Sequence, residues 1–161
     1  MNLHPLLVHF PIAIWTLYTL FEIISIKKIQ EKAYWFYVKA SLVIAGGIFF
    51  ILAYATGDEY GGTEKIREIH ESFAGATGIV FGVMAVIYLL VWIKREWPSM
   101  YVPFLPIVCT WAEKILNSPL RLIIPVMGFI LLSITGGLGG SMVYGKDIDP
   151  FTQIIYKIFK L

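Results

Sequence analysis

Ser72 to Ile93 reads SFAGATGIVFGVMAVIYLLVWI, 22 residues without one charged side chain. The hydrocarbon core of a bilayer is about 30 Å thick, and a helix crosses it with about 20 mostly apolar residues. Three further stretches meet the same requirement. The first runs over residues 5–26, with Glu22 its only acid, and the second over 34–55, with Lys39 its only charge. The last runs over 122–144 and carries no charge. These runs are too long for strands, and membrane β-barrels give a weaker, alternating pattern.

The composition agrees with that reading. Of the 161 residues, 58% are hydrophobic and 15% charged, whereas soluble domains run at about 45–50% and about 25%. Mean hydropathy is +0.74. An ordinary soluble globule and a disordered chain are both excluded. A net charge of +2 is too small to call for a nucleic-acid partner. The single cysteine, Cys109, precludes an internal disulfide and any CxxC metal site, and reads as a small apolar residue. The expectation is one all-α integral membrane domain over residues 1–161, a four-helix transmembrane bundle.

The first segment lacks a basic leader and a small-residue cleavage site, so it reads as a retained helix. Pro5 suits a helix start, and Pro11 is expected to free the carbonyl of Leu7 and kink the helix. Residues 94–121 contain Pro98, Pro103, Pro106 and Pro119. Their apolar part, Tyr101–Ala112, is too short to span. We read it as an interfacial or re-entrant segment with a helix near Pro106–Leu116; a fifth span would move the C-terminus to the other side. After Pro150, Phe151, Ile154, Ile155, Ile158 and Phe159 fall on one helical face, with Thr152, Gln153, Lys157 and Lys160 on the other. That pattern predicts an amphipathic C-terminal helix on the membrane surface, or one packed on a partner subunit.

Lysine and arginine favour cytoplasmic loops. Lys27, Lys28, Lys32, Lys94, Arg95, Lys114 and Arg121 fall on one side, against Lys65, Arg67, Lys146, Lys157 and Lys160 on the other. Both termini are therefore expected outside the cytoplasm. Trp35, Trp92 and Trp97 then mark the cytoplasmic interface. Glu22 and Lys39 each lie about 7 Å inside that edge at 1.5 Å per residue, and are expected to pair within the bundle, with snorkelling the alternative for Lys39.

All three histidines, His4, His9 and His70, fall at the outer end. Ionisable groups in spanning segments mark function by default, and neutral imidazole is the commonest metal ligand. Helix three is expected to begin near Thr63, which makes His70 helical. His4 precedes a proline and suits the N-cap; if both were helical, His4 and His9 would differ by about 140° around the axis. Two chemistries fit. His9 and His70 could hold one b-type haem as axial ligands, with Ala74, Gly75, Ala76 and Gly78, and Gly136, Gly137, Gly139 and Gly140, as small faces for the macrocycle. Alternatively His4, His9 and His70 form a three-nitrogen site for copper, zinc or iron, with Asp58, Glu59 or Glu71 adding an oxygen or orienting a ring. The spacings Gly78–Gly82 and Gly136–Gly140 also suit plain helix packing, and the remaining outer carboxylates, Glu64 and Glu68, read as a solvated loop.

His4-Pro-Leu-Leu-Val-His-Phe-Pro-Ile-Ala13, Ala55-Thr-Gly57, His70-Glu71 and Thr135-Gly-Gly-Leu-Gly-Gly-Ser-Met-Val-Tyr144 together resemble the bacterial membrane-protein family known as domain of unknown function 2231. The resemblance spans all four helices. It implies a compact four-helix domain of the inner membrane, sometimes joined to or near redox proteins, with motif histidines at His4, His9 and His70. It supplies no established activity. Relatives often carry a polar residue or histidine after the position of Tyr144, where this chain has Gly145, so a fourth histidine and a two-haem arrangement are not implied.

The leading expectation is therefore a redox subunit with one haem b held by His9 and His70, His4 being a supporting group or replacement ligand. It would pass electrons between a membrane donor such as quinol and a periplasmic acceptor. The alternatives are a three-histidine copper or zinc protein, and a cofactor-free assembly subunit of a larger membrane complex.

Overall fold

The computed structural model describes residues 4–24, 29, 31–57, 62–98, 105–147 and 149–161. Among them lie six helices and no strand: α1 (His4–Ile23), α2 (Ala33–Ala55), α3 (Glu64–Glu96), α4 (Leu105–Leu116), α5 (Leu120–Tyr144) and α6 (Pro150–Phe159). Four of them, α1, α2, α3 and α5, are long and apolar enough to cross a membrane. The protein is an integral membrane protein built as a four-helix bundle. Lys27 and Lys28 of the first loop lie outside the described residues, as do Tyr101 and Pro103 of the loop before α4.

The helices start and stop for local reasons. α3 begins after Thr63, whose extended backbone occupies the N-cap although its hydroxyl makes no capping bond. At 33 residues it measures about 50 Å, so its polar first turns reach beyond the bilayer. α1 continues through Pro11. α6 is capped by Asp149, which accepts from the Thr152 amide at 2.9 Å and the Thr152 hydroxyl at 2.6 Å, with Pro150 in the first turn.

α1 packs against α2 and α5, and α3 packs against the same two helices. α1 and α3 therefore face each other across the diagonal, and large aromatic residues fill the gap. The Trp15 and Phe81 rings stack at 4.4 Å, and Tyr18 meets Phe81 edge-on at 6.2 Å and Tyr88 at 5.9 Å. Glycines on the neighbouring helices make room for them. A Cβ at Gly46 would overlap the Trp15 indole, one at Gly78 would overlap Phe50, and one at Gly128 would stand 2.9 Å from Phe81. The close approach at Gly46 lets the Trp15 ring N–H donate to the Val43 carbonyl at 3.2 Å. Helix packing in lipid relies on such contacts, because burial from water adds little between helices there.

The charges of the spanning segments meet at one point. The Glu22 carboxylate is fully buried, with Lys39 Nζ at 3.0 Å and Arg121 Nε at 3.6 Å. The Tyr88 hydroxyl donates to its other oxygen. The expected Glu22–Lys39 pair is present; Tyr88 and Arg121 complete it, so that α1, α2, α3 and α5 each contribute one group.

α4 runs in the same direction as α3. The Cys109 thiol donates to the Leu90 carbonyl, and Lys94 pairs with Glu113 at 2.7 Å, so both helices advance four residues between contacts. Leu90 lies six residues before the end of α3, about 9 Å along the axis, so α4 starts beside the apolar part of α3 and runs out toward the end of that helix.

α6 folds onto its own bundle. Ile155 enters the space at Gly137, within a cluster with Ile66 and Leu138. Thr152, assigned by its polarity to the outer face, is fully buried, because Asp149 satisfies its hydroxyl and amide locally.

Two outcomes follow from these contacts. Gly46→Val should lower stability by about 1–3 kcal/mol, the usual cost of overpacking, while Gly47→Ala, which meets nothing within 4 Å, should leave the detergent melting curve unchanged. Glu22→Leu, which strands two buried or half-buried cations, should cost about 3–5 kcal/mol, and adding Lys39→Met should restore part of it; equal losses in the single and double variants would refute the pairing.

Candidate functional site

The bundle end opposite Glu22 carries the histidines. His4 opens α1, and its Nδ1 lies 2.9 Å from the carbonyl of Ala53. Ala53 sits in the last turn of α2, where carbonyls lack partners within the helix. The same oxygen accepts from the Thr56 hydroxyl at 3.0 Å. Gly57 keeps the chain close to the ring: a Cβ there would stand 3.4 Å from His4 Cε1. The Ala55-Thr56-Gly57 turn thus forms the seat of the His4 imidazole.

His70 lies in the second turn of α3 and leans on α5. Its Nδ1 lies 3.1 Å from the carbonyl of Thr135, in the middle of a helix whose carbonyls are otherwise shielded by side chains. Gly139 removes that shield, since a Cβ there would stand 3.1 Å from His70 Cε1. Two turns further along the same face of α3, the Thr77 hydroxyl stands 3.2 Å from that of Thr135. Thr135-Gly-Gly-Leu-Gly is therefore the seat of the second imidazole, a role the sequence reading missed. The clue available was the glycine one turn after a threonine, which had been set against a macrocycle instead.

The two seats lie on diagonally opposed helices, and the rings they hold come from the other two, α1 and α3. A carbonyl can only accept, so each Nδ1 carries the ring proton in the neutral state. The lone pair is left on Nε2. A carbonyl bound to one ring nitrogen is the usual means of orienting a ligating imidazole.

His9 is exposed, beside Phe10, whose ring stacks on Phe49 at 4.7 Å. Of the two α1 histidines, His4 is the one held at a backbone carbonyl of another helix. Glu71 is exposed, with its charge acting on His70, and Asp58 and Glu59 lie outside the described residues. Among the described residues no three His, Cys, Asp or Glu side chains converge as a metal site. Of the faces set aside for a macrocycle, Gly78 and Gly137 are filled by Phe50 and Ile155; Gly75, Gly136 and Gly140 have nothing within 4 Å of a Cβ position.

The family model described as "Predicted membrane protein (DUF2231)" matches residues 1–149, and the chain belongs to that family. No curated protein and no solved structure matches it.

Nitrogen-15 spectra of histidine-labelled protein in detergent should give His4 and His70 the Nδ1–H tautomer, each assigned by its alanine variant. An Nε2–H tautomer at either ring would show that its carbonyl seat is not formed.

Proposed function

We propose that this membrane protein is an electron-transfer subunit carrying one b-type haem at the histidine end of the bundle, with His4 and His70 as the axial ligands. The observation that supports the reading is the pair of imidazoles on α1 and α3, each held at Nδ1 by a backbone carbonyl. Sequence spacing favours His9 with His70; the exposure of His9 moves the assignment to His4. The open glycines Gly75, Gly136 and Gly140 leave backbone uncovered near that end for a flat ligand.

A haem held by both imidazoles would supply one-electron chemistry and leave no open position for a substrate, so the reading is electron transfer rather than catalysis. The chain's part is to fix the tautomer of both rings and so direct both Nε2 lone pairs. The Ala53 and Thr135 carbonyls do this by retaining the Nδ1 protons. The lysine and arginine bias supports a histidine end, with both termini, outside the cytoplasm. A lipid-soluble donor of the quinol class on one side and an acceptor outside the inner membrane are the partners this placement implies.

An absorption spectrum of the protein in mild detergent, air-oxidised and then dithionite-reduced, tests the reading, with metal analysis on the same sample. A sharp reduced α-band with about one iron per chain is expected, as bis-imidazole ligation requires. His4→Ala and His70→Ala should lose the band and His9→Ala should keep it. A fully helical protein with neither band nor iron would overturn the proposal. Stoichiometric copper or zinc without the band would assign the site to a bare metal ion, and no metal at all would favour an assembly subunit.

A further inference from the structure

The outer end of the bundle carries a second feature, built by α6 and the turn before it. At about 100° per residue, α6 divides into three sectors. Ile155, Thr152, Tyr156 and Phe159 face the bundle, where Ile155 and Thr152 are buried. Phe151, Ile154 and Ile158 form an apolar sector that stays 46%, 54% and 66% exposed among the described residues, with only the Phe151 ring edging onto Gly137. Gln153, Lys157 and Lys160 make the third sector. A helix with one side on its own protein, one apolar side open and one lysine-rich side fits the boundary between hydrocarbon and headgroups.

The third sector borders a recess of about 350 Å³ lined by Lys146, Asp147, Gln153, Tyr156, Lys157, Lys160 and Leu161. Of the side chains lining it, three are lysines and one is an aspartate. Its rim is held in place. Lys65 of α3 donates to the Lys160 carbonyl at 2.9 Å, the Leu161 amide donates to the Tyr156 carbonyl at 3.1 Å, and the Tyr156 hydroxyl donates to Ser141 at 3.2 Å. Lys160 takes the left-handed conformation, φ 50°, which turns the chain end back over the helix. Beside the recess, Val143 and Tyr144 at the end of α5 are 69% and 75% exposed. They offer an apolar path toward the membrane interior.

We propose that this recess binds the phosphate of an anionic phospholipid, with Lys146, Lys157 and Lys160 around the headgroup and the acyl chains descending past Val143 and Tyr144. The exposed apolar sector of α6 places the lysines at headgroup level, which a site for a free soluble anion would not require. Each lysine near an anionic lipid surface strengthens binding about fivefold, and salt weakens it.

The test uses the full chain in nanodiscs of equal parts phosphatidylcholine and phosphatidylglycerol, with retained lipid identified by native mass spectrometry. Phosphatidylglycerol should be retained in preference by about tenfold or more. The combined variant Lys146→Gln, Lys157→Gln, Lys160→Gln should abolish the preference. Lys114→Gln, near the Glu22 end, should keep it. Equal retention of the two lipids by the unaltered chain would overturn the proposal, as would a preference that survives in the triple variant. Tight binding of inorganic phosphate to the protein in pure phosphatidylcholine, lost in the triple variant, would show a soluble-anion site and overturn the lipid assignment.

Discussion

A single buried carboxylate organises this bundle. Glu22 has no exposure of its own, and an unpaired charge at that depth is expensive. Its partners come one from each other spanning helix: Lys39 from α2, Tyr88 from α3 and Arg121 from α5. Hydrophobic contact alone leaves helices in lipid free to rotate and slide, since one apolar face is as good as another. A charge that must meet a cation and a hydroxyl at set positions removes that freedom. Polar groups buried in this way set register and rotation more than they add stability. Once Glu22 is placed, Trp15 and Tyr18 on α1 must face Phe81 and Tyr88 on α3.

From that point the interior is built by one repeated device, a large side chain laid against a glycine of the next helix. Trp15 lies on Gly46, Phe50 on Gly78, Phe81 on Gly128 and Ile155 on Gly137. The His70 ring at Gly139 is the same device with a polar side chain. The imidazole takes the place an aromatic ring holds elsewhere, and reaches a helix-interior carbonyl because no Cβ stands in the way. The candidate site is thus a continuation of the packing scheme at the end where the helices emerge.

Run lengths made the fold legible in the sequence. Four spans of about 20 apolar residues have no other stable form in a bilayer, and a count from the helix ends brought Glu22 and Lys39 to the same depth. Rotation about the helix axes was not legible. Tyr88 and Arg121 gave no periodic signal marking them as neighbours of Glu22, because only the packing of α1 against α3 and α5 brings them there. The same gap separates His9 from His4. Depth alone made His9 the better ligand, being a turn below the start of an apolar helix, but the axis is turned so that His9 is exposed and His4 reaches Ala53. The direction of α4 was equally hidden, since an amphipathic stretch reads the same toward or away from the membrane surface.

The two ends of the bundle answer the same problem in different ways. At the Glu22 end, opposite charges are brought together. At the other end each half-buried imidazole meets a backbone carbonyl, and a neutral imidazole has one donor and one acceptor. The chain supplies a carbonyl to each Nδ1, which uses the donor and leaves the acceptor on Nε2. Chains that bury histidine only for packing need not treat both rings alike. Here two unrelated segments, the end of α2 and the middle of α5, impose the same tautomer on rings carried by opposed helices. The proposed haem would complement such a pair, since its iron would accept an electron pair from each Nε2.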